Sequence, residues 1–166
     1  MKNSKINKKK FSKIQKIKIH CGIGSIKMSE DVIAYFFEQL KVISGQTPKM
    51  IYAKQPIAGF HLREKMPLGF YVTLRQYKMI SFFNRLINII LPQNFSFEGI
   101  PKKKFDGKGN LNIGIKTFFE FRECDSIKFY KYSKIGFNIS IITSYKTNDE
   151  ALTYLNKLGL LTKDII

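Results

Sequence analysis

Apolar and polar residues along this chain recur with two different periods, and each change of period marks an element. In KIQKIKIHCGIG (Lys13–Gly24), Ile17, Ile19, Cys21 and Ile23 alternate with Lys18, His20 and Gly22. Period two is the signature of a strand buried on one face only. Ser29 then precedes Glu30 and Asp31, and Ile33, Phe36, Phe37, Leu40 and Ile43 follow at helical spacing up to Gly45. That pattern predicts a capped helix, with acids at the positive end of its dipole and a glycine stop. TPKMIYAKQP (Thr47–Pro56) reads as a second strand with proline at its limits, and Leu68–Arg75 as a third. Tyr77–Leu91 predicts an apolar helix that turns Met79, Ile80, Phe83, Leu86, Ile87 and Ile90 inward and ends at Pro92.

The last third repeats these signals. Asn94–Lys104 has no regular period, and FDGKGNLNIGIKTF (Phe105–Phe118) sets an Asp-Gly turn before a strand. Ile135–Tyr145 is an isoleucine-rich strand. In Thr147–Gly159, Thr147 and Glu150 have the spacing of a capping box, Leu152, Leu155 and Leu158 face the core, and Gly159 is the C-cap. The order β-α-β-β-α-β-β-α, without repeats or a linker, predicts the α+β class. The expectation is a basic arm over residues 1–13, then a single domain over 14–166. Its sheet is mostly antiparallel, with helices packed on one face and the other face open.

One stretch does not fit a minimal sheet. Between the second and third strands, Ile57–Leu68 (IAGFHLREKMPL) carries His61, Arg63, Glu64 and Lys65 before Pro67 and Gly69. Closing a loop of this length costs entropy, and such loops usually carry function. A hairpin tip with no partner is the plain alternative.

Charge narrows the partners. The 166 residues carry a formal net charge of +17, and only four of the 29 Lys and Arg are arginines: Arg63, Arg75, Arg85 and Arg122. A polyanion is implied, nucleic acid before an anionic membrane. Lysine supplies diffuse phosphate attraction and arginine forked recognition. No apolar run reaches the ~20 residues that span a bilayer. The start has no apolar core of a secretory signal, and its lysines leave an organelle-targeting leader open. Two cysteines, Cys21 and Cys124, make neither a disulfide framework nor a metal-ligand spacing; both read as buried thiols.

Catalysis has little to rest on. His20 and His61 are the only histidines and fall in different elements, and alternation turns His20 and Cys21 to opposite faces. Glu120, Glu123 and Asp125 read as a solvated acidic patch. None of these is an activated nucleophile, a carboxylate pair or a metal cluster, so the expectation is no enzyme, no metal and no cofactor.

The segments KIQKIKIHCGIG, ISGQTPKMIYAKQPIAGF, LREKMPLGFYVTLR, FFNRLINIILP, FDGKGNLNIGIK and ITSYKTNDEALTYLNKLGL occur in that order from about Lys13 to Gly159. Together they resemble one family: the large-subunit ribosomal protein that binds 5S rRNA, the universal protein numbered five. The resemblance implies a structural role in the central protuberance, with 5S rRNA, other large-subunit rRNA and neighbouring ribosomal proteins as partners. Carried over by motif, the 5S-facing positions are His20, Gln46, Phe60 and Thr73, with Lys18 and Arg75 beside them. The long loop, with His61, Arg63, Lys65 and Met66, is then aimed at peptidyl-site tRNA and a protein of the small-subunit head. Phe60 has a core aromatic as its alternative reading.

Three features depart from the family: His20 stands where Asn is usual, a lysine arm replaces an N-terminal helix, and Gln93 and Phe95 replace arginines. These departures point to a thinner 5S contact, or to an altered or missing 5S rRNA. Heavy use of Lys, Ile, Asn, Phe and Tyr suits an AT-rich genome, so a mitochondrial ribosome is expected, with a plastid or an AT-rich bacterium as alternatives. A free-standing basic RNA-binding or RNA-chaperone module is the rival function. Lipid is the weaker rival, since no basic amphipathic helix is present to lie on a membrane.

Overall fold

The computed structural model describes residues 11–23, 29–60, 62–93, 97–124 and 135–163. Five strands form one sheet in the order β2-β3-β1-β6-β5. They are β1 (Ile14–Gly22), β2 (Lys49–Tyr52), β3 (Pro67–Leu74), β5 (Leu111–Ile115) and β6 (Phe137–Thr143). The sheet is mostly antiparallel, as in the pair β2–β3, where Lys49 lies opposite Tyr71 and Met50 opposite Phe70. Helix α1 is Glu30–Ser44, α2 begins as Gln76–Arg85, and α3 is Asn148–Lys157. The expected α+β architecture is thus observed.

The described chain forms two compact units, and β1, β3 and β6 contribute residues to both. One holds the chain up to Lys18, Thr73–Ile113 and the chain from Ile139; the other holds Ile19–Val72 and Gly114–Asn138. In the second unit, Ile19 and Cys21 of β1 and Phe70 of β3 are fully buried. Helix α1 lays Val32, Phe36, Leu40 and Ile43 on this core. Its Phe36 ring stands 5.2 Å from that of Phe118, which in turn lies 4.8 Å from Phe137. Tilted and edge-on aromatic pairs of this kind add about 0.5–1.5 kcal/mol each beyond their buried area.

Here β3 also comes unusually close to β1. A Cβ added at Gly69 would lie 2.4 Å from the Cys21 carbonyl oxygen, and Ile23 donates its N–H to Leu68 O at 2.8 Å. Gly69 therefore serves strand contact.

In the first unit, Phe82, Phe83 and Leu86 of the second helix are fully buried, with Leu74, Leu111, Ile139, Ile141 and Leu155. Phe11, assigned to the basic arm by sequence, is also buried, edge-on to Phe83 at 5.6 Å. Residues 1–10 of that arm lie outside the described residues.

The second helix does not stop before Pro92. It continues from α2 through a π-helical turn, Leu86–Ile90, and a last turn, Leu91–Gln93. Leu91 gives its N–H to Leu86 O, and the widened turn sits directly before the proline, whose missing N–H removes a ladder bond. Two short strands escaped the sequence pattern: β4 (Ile100–Pro101) pairs in parallel with β7 (Thr162–Lys163).

Helix ends also differ from expectation. Neither Ser29 nor Thr147 makes a side-chain cap hydrogen bond, so the Thr147–Glu150 capping box does not form; both of its residues are exposed to competing water. Leu158 closes α3, with Gly159 just beyond it at φ 102°. Leu155 is buried with Ala151, while Leu152 and Leu158 are half-buried.

The turn before β5 is held by hydrogen bonds from within and without. Asp106 accepts from the N–H of Lys108 at 2.8 Å, from the N–H of Asn110 at 3.0 Å and from Asn110 Nδ2 at 2.7 Å. From outside, buried Thr143 donates Oγ1–H to Gly109 O at 2.7 Å, and Gly109 N–H donates to Asn148 Oδ1 at 3.1 Å. The hydrogen bond from Asn110, with those from the backbone, holds the Asp106 carboxyl below the usual carboxylate range.

Two outcomes are expected. Gly69→Ala forces a methyl into the Cys21 carbonyl and costs at least the ~1–3 kcal/mol of an overpacked core, read as a lower urea midpoint. Asp106→Ala costs a few tenths to about 1 kcal/mol at neutral pH, the range for one net hydrogen bond. Because the folded-state pKa is the lower one, this contribution is present above the unfolded value and fades as pH falls through the folded value. The wild-type and Asp106→Ala midpoints should therefore converge below about pH 4.

Candidate nucleic-acid interface

None of the five strands of the large sheet contains an Asp or a Glu. The carboxylates among the described residues lie elsewhere, for example Glu30, Asp31 and Glu38 on α1 and Asp149 and Glu150 on α3. The pleat then decides what each strand shows to solvent. In β1, Ile17, Ile19 and Cys21 are buried while Lys18 and His20 are exposed. In β3, Phe70, Val72 and Leu74 are buried, Tyr71 is exposed and Thr73 is half-buried. In β6, Asn138 is exposed between buried Phe137 and Ile139. Lys49 shares the side of Tyr71 by their register.

The sequence-predicted residues fall into place as follows. In the first unit, Lys18 is exposed on β1, Thr73 stands on the outward side of β3, and exposed Arg75 follows as the residue before α2. In the second unit, His20 is exposed on β1. Gln46 is half-buried just past the end of α1, where its carbonyl oxygen accepts from Ser44 Oγ at 2.8 Å and its N–H donates to the same hydroxyl at 3.2 Å. This doubly bonded turn fixes the backbone that carries the Gln46 side chain. Phe60 ends a short 3-10 turn, Ala58–Phe60; its side chain and the whole of His61 lie outside the described residues.

The loop 57–68 is built as a hairpin rather than a slack connection. Ile57 and Leu62 exchange N–H···O bonds of 3.1 Å each, and at its root Ala53 donates to Met66 O at 2.9 Å and accepts from the Lys65 N–H at 3.0 Å. Lys65 adopts φ 62°, the left-handed turn that brings the chain back to β3. Arg63 and Lys65 are exposed and Met66 is half-buried.

Sequence reasoning missed Lys49, Tyr71, Lys116 and Asn138, all exposed in the second unit, although period-two alternation was signal enough for Tyr71 and Asn138. It also missed Tyr77, 81% exposed at the start of α2. The cysteines behave as expected. Cys21 donates Sγ–H to Gly136 O at 3.4 Å, and burial pushes both thiols up to about 12, helped at Cys124 by the charge of Glu123. His20 and Cys21 lie on opposite faces, as alternation requires.

The described chain is thus a strongly basic α+β protein with a sheet free of carboxylates and an anchored hairpin. Comparison with known proteins makes this specific. Residues 7–63 match the family model described as ribosomal protein L5, and residues 67–161 match the model of the C-terminus of that same ribosomal family. The large ribosomal subunit protein uL5c of Euglena gracilis is 41% identical over 160 residues, spanning 96% of this chain and 88% of that one. The uL5 protein of Geobacter sulfurreducens is 42% identical, over 89% of this chain and 82% of its own. The uL5c protein of Chaetosphaeridium globosum is 39% identical, over 93% and 82%. The chain belongs to the ribosomal protein L5 (uL5) family, whose members are structural, non-enzymatic constituents of the large ribosomal subunit.

Thiols held this high are almost wholly protonated at pH 8, and thiolate is the reactive form. Iodoacetamide at pH 8 should therefore leave Cys21 and Cys124 unmodified over an hour in the folded protein and label both in urea, as read by intact mass.

Proposed function

We propose that this protein fixes 5S rRNA to the large subunit through the outward side of its sheet and the adjoining loops, and reaches peptidyl-site tRNA through the hairpin 57–68. The observation that carries this reading is the segregation of charge. A sheet without a carboxylate in any of its strands, in a chain of net charge +17, attracts phosphate and sets no strand carboxylate against it. Lys18, Lys49 and Arg75 then neutralise phosphates. Thr73, His20 and Gln46 supply the hydroxyl, imidazole and amide groups that set register on unpaired nucleotides.

At the hairpin, Arg63 has the planar five-donor fork that suits a phosphate or a base edge, and Lys65 adds a second cation. His61 and Met66 belong to this tRNA-facing set, and Phe60, by family motif, to the 5S-facing one. The hairpin's two bonded levels fix the backbone that carries these exposed cations, which favours contact with a second RNA and with a small-subunit head protein. The compartment of that ribosome, on amino-acid usage, is the mitochondrion first, with a plastid or the cytoplasm of an AT-rich bacterium as alternatives.

Filter binding to the organism's own 5S rRNA and to a scrambled RNA of equal length, at 50 and 200 mM salt, tests the reading. Preference for 5S rRNA should survive 200 mM salt and fall by about tenfold in Thr73→Ala or Gln46→Ala, the range for one lost polar contact. Lys18→Ala should weaken both RNAs alike and lower the log–log salt slope by about 0.9. Equal binding of both RNAs that collapses together with salt would refute 5S recognition and favour the free-standing basic module.

A further inference from the structure

Glycine within a strand weakens it, so its presence has a cause: a left-handed φ, a neighbouring backbone, or a ligand that comes close. In the unit of Ile19–Val72 and Gly114–Asn138, Gly69 and Gly136 have causes inside the protein. A Cβ added at Gly136 would lie 2.1 Å from Ile115 O, as one at Gly69 would meet Cys21 O.

Among the described residues, Gly22, at the end of β1, and Gly114, within β5, have no such cause. Neither has positive φ. Of the described residues, an added Cβ would meet His20 Cε1 alone, at 3.9 Å, in the first case and Asn138 Oδ1 alone, at 3.5 Å, in the second. Both are exposed and alternate with buried neighbours, Cys21 and Ile23 for Gly22, and Ile113 and Ile115 for Gly114. Both therefore lie on the solvent side of their strands.

A cleft of about 680 Å³ opens beside Gly22, lined among others by His20, Gly22, Lys116, Thr117 and Asn138, and it is Asn138 that also stands over Gly114. That volume is in the range that holds small ligands, and among the described residues no carboxylate lines it. The polar side chains of those lining residues are one ammonium, one imidazole, one hydroxyl and one amide. An ammonium suits a phosphate, and an amide both donates and accepts, as the edge of a base does. A duplex is too broad to enter such a cleft, whereas a base splayed out of a loop is what proteins read in RNA.

We propose that this cleft receives one unpaired RNA nucleotide. Its sugar and base lie against the bare backbone at Gly22 and Gly114, Lys116 faces its phosphate, and Asn138 offers its amide to the base edge. The inference rests on the RNA-binding reading above and adds a site to it: neither glycine, nor Lys116, nor Asn138, was part of the 5S-facing set.

The test separates the two readings. Gly114→Ala and Gly22→Ala are compared with wild type for thermal midpoint, for binding to a 5S rRNA transcript, and for binding to a fully paired RNA of equal length. The expected result is a midpoint equal to or above wild type, at least tenfold weaker binding to the 5S transcript, and unchanged binding to the duplex; Asn138→Ala should also lose 5S affinity and spare the duplex. Unchanged 5S affinity in both glycine variants overturns the cleft proposal, and so does a lowered midpoint, which makes the glycines structural. Wild type that prefers neither RNA defeats the RNA reading of the sheet itself, and this site with it.

Discussion

Strand β1 turns Ile17, Ile19 and Cys21 into the core with no exposed surface, and the pleat then leaves Lys18 and His20 no place but the opposite side. The neighbouring strands obey the same constraint, with Phe70, Val72 and Leu74 in against Tyr71 and Thr73 out, and Phe137 and Ile139 in against Asn138 out. Burial of these apolar side chains is the dominant favourable term in folding. A register slip by one residue would send each row to the wrong side. The arrangement that stabilises the protein is thus also the one that builds its outward surface, and no separate device is needed to present it.

The charge pattern gains its meaning from this division. Carboxylates near a phosphate would cost affinity, and among the described residues they lie in helices and loops, Glu64 of the hairpin included. Glu30 and Asp31 sit in the first turn of α1 and Asp149 and Glu150 in that of α3, where the dipole stabilises them. One distribution serves both ends: acids improve helix starts, and strands without acids stay attractive to a polyanion. The buried thiols fit the same division, since a proton-holding sulfur under the sheet takes no part in the chemistry above it.

Hairpin 57–68 and the turn 106–110 show two ways in which this fold holds irregular backbone. The hairpin is tied at its root by Ala53 and at its waist by Ile57 and Leu62, so its charged part projects from a fixed base. The turn is instead bound from outside, by Thr143 and Asn148. There Gly109, at φ 75°, brings its backbone close enough that an added Cβ would stand 2.8 Å from Tyr145 O. The first leaves charged side chains exposed at its tip, and the satisfied polar groups of the second serve the fold.

By itself the sequence determined the elements whose periodicity is long enough to read: β1, α1, β3, the second helix, β6 and α3, and with them the outward places of Lys18, His20 and Thr73. It also carried the family, through segments kept in order along most of the chain. Other features were decided only by tertiary structure. The two-residue strands β4 and β7 have no period of their own and exist because distant segments pair. Phe11 looks like part of a charged arm until Phe83 gives it a surface to bury against. The capping box is a spacing that became no bond, because exposed Thr147 and Glu150 have water as an equal partner. Most of all, a glycine in a strand reads the same whatever its cause. Only the neighbouring carbonyls, pressed against Gly69 and Gly136 and, among the described residues, absent at Gly22 and Gly114, distinguish backbone that must be bare for the protein from backbone bare toward solvent.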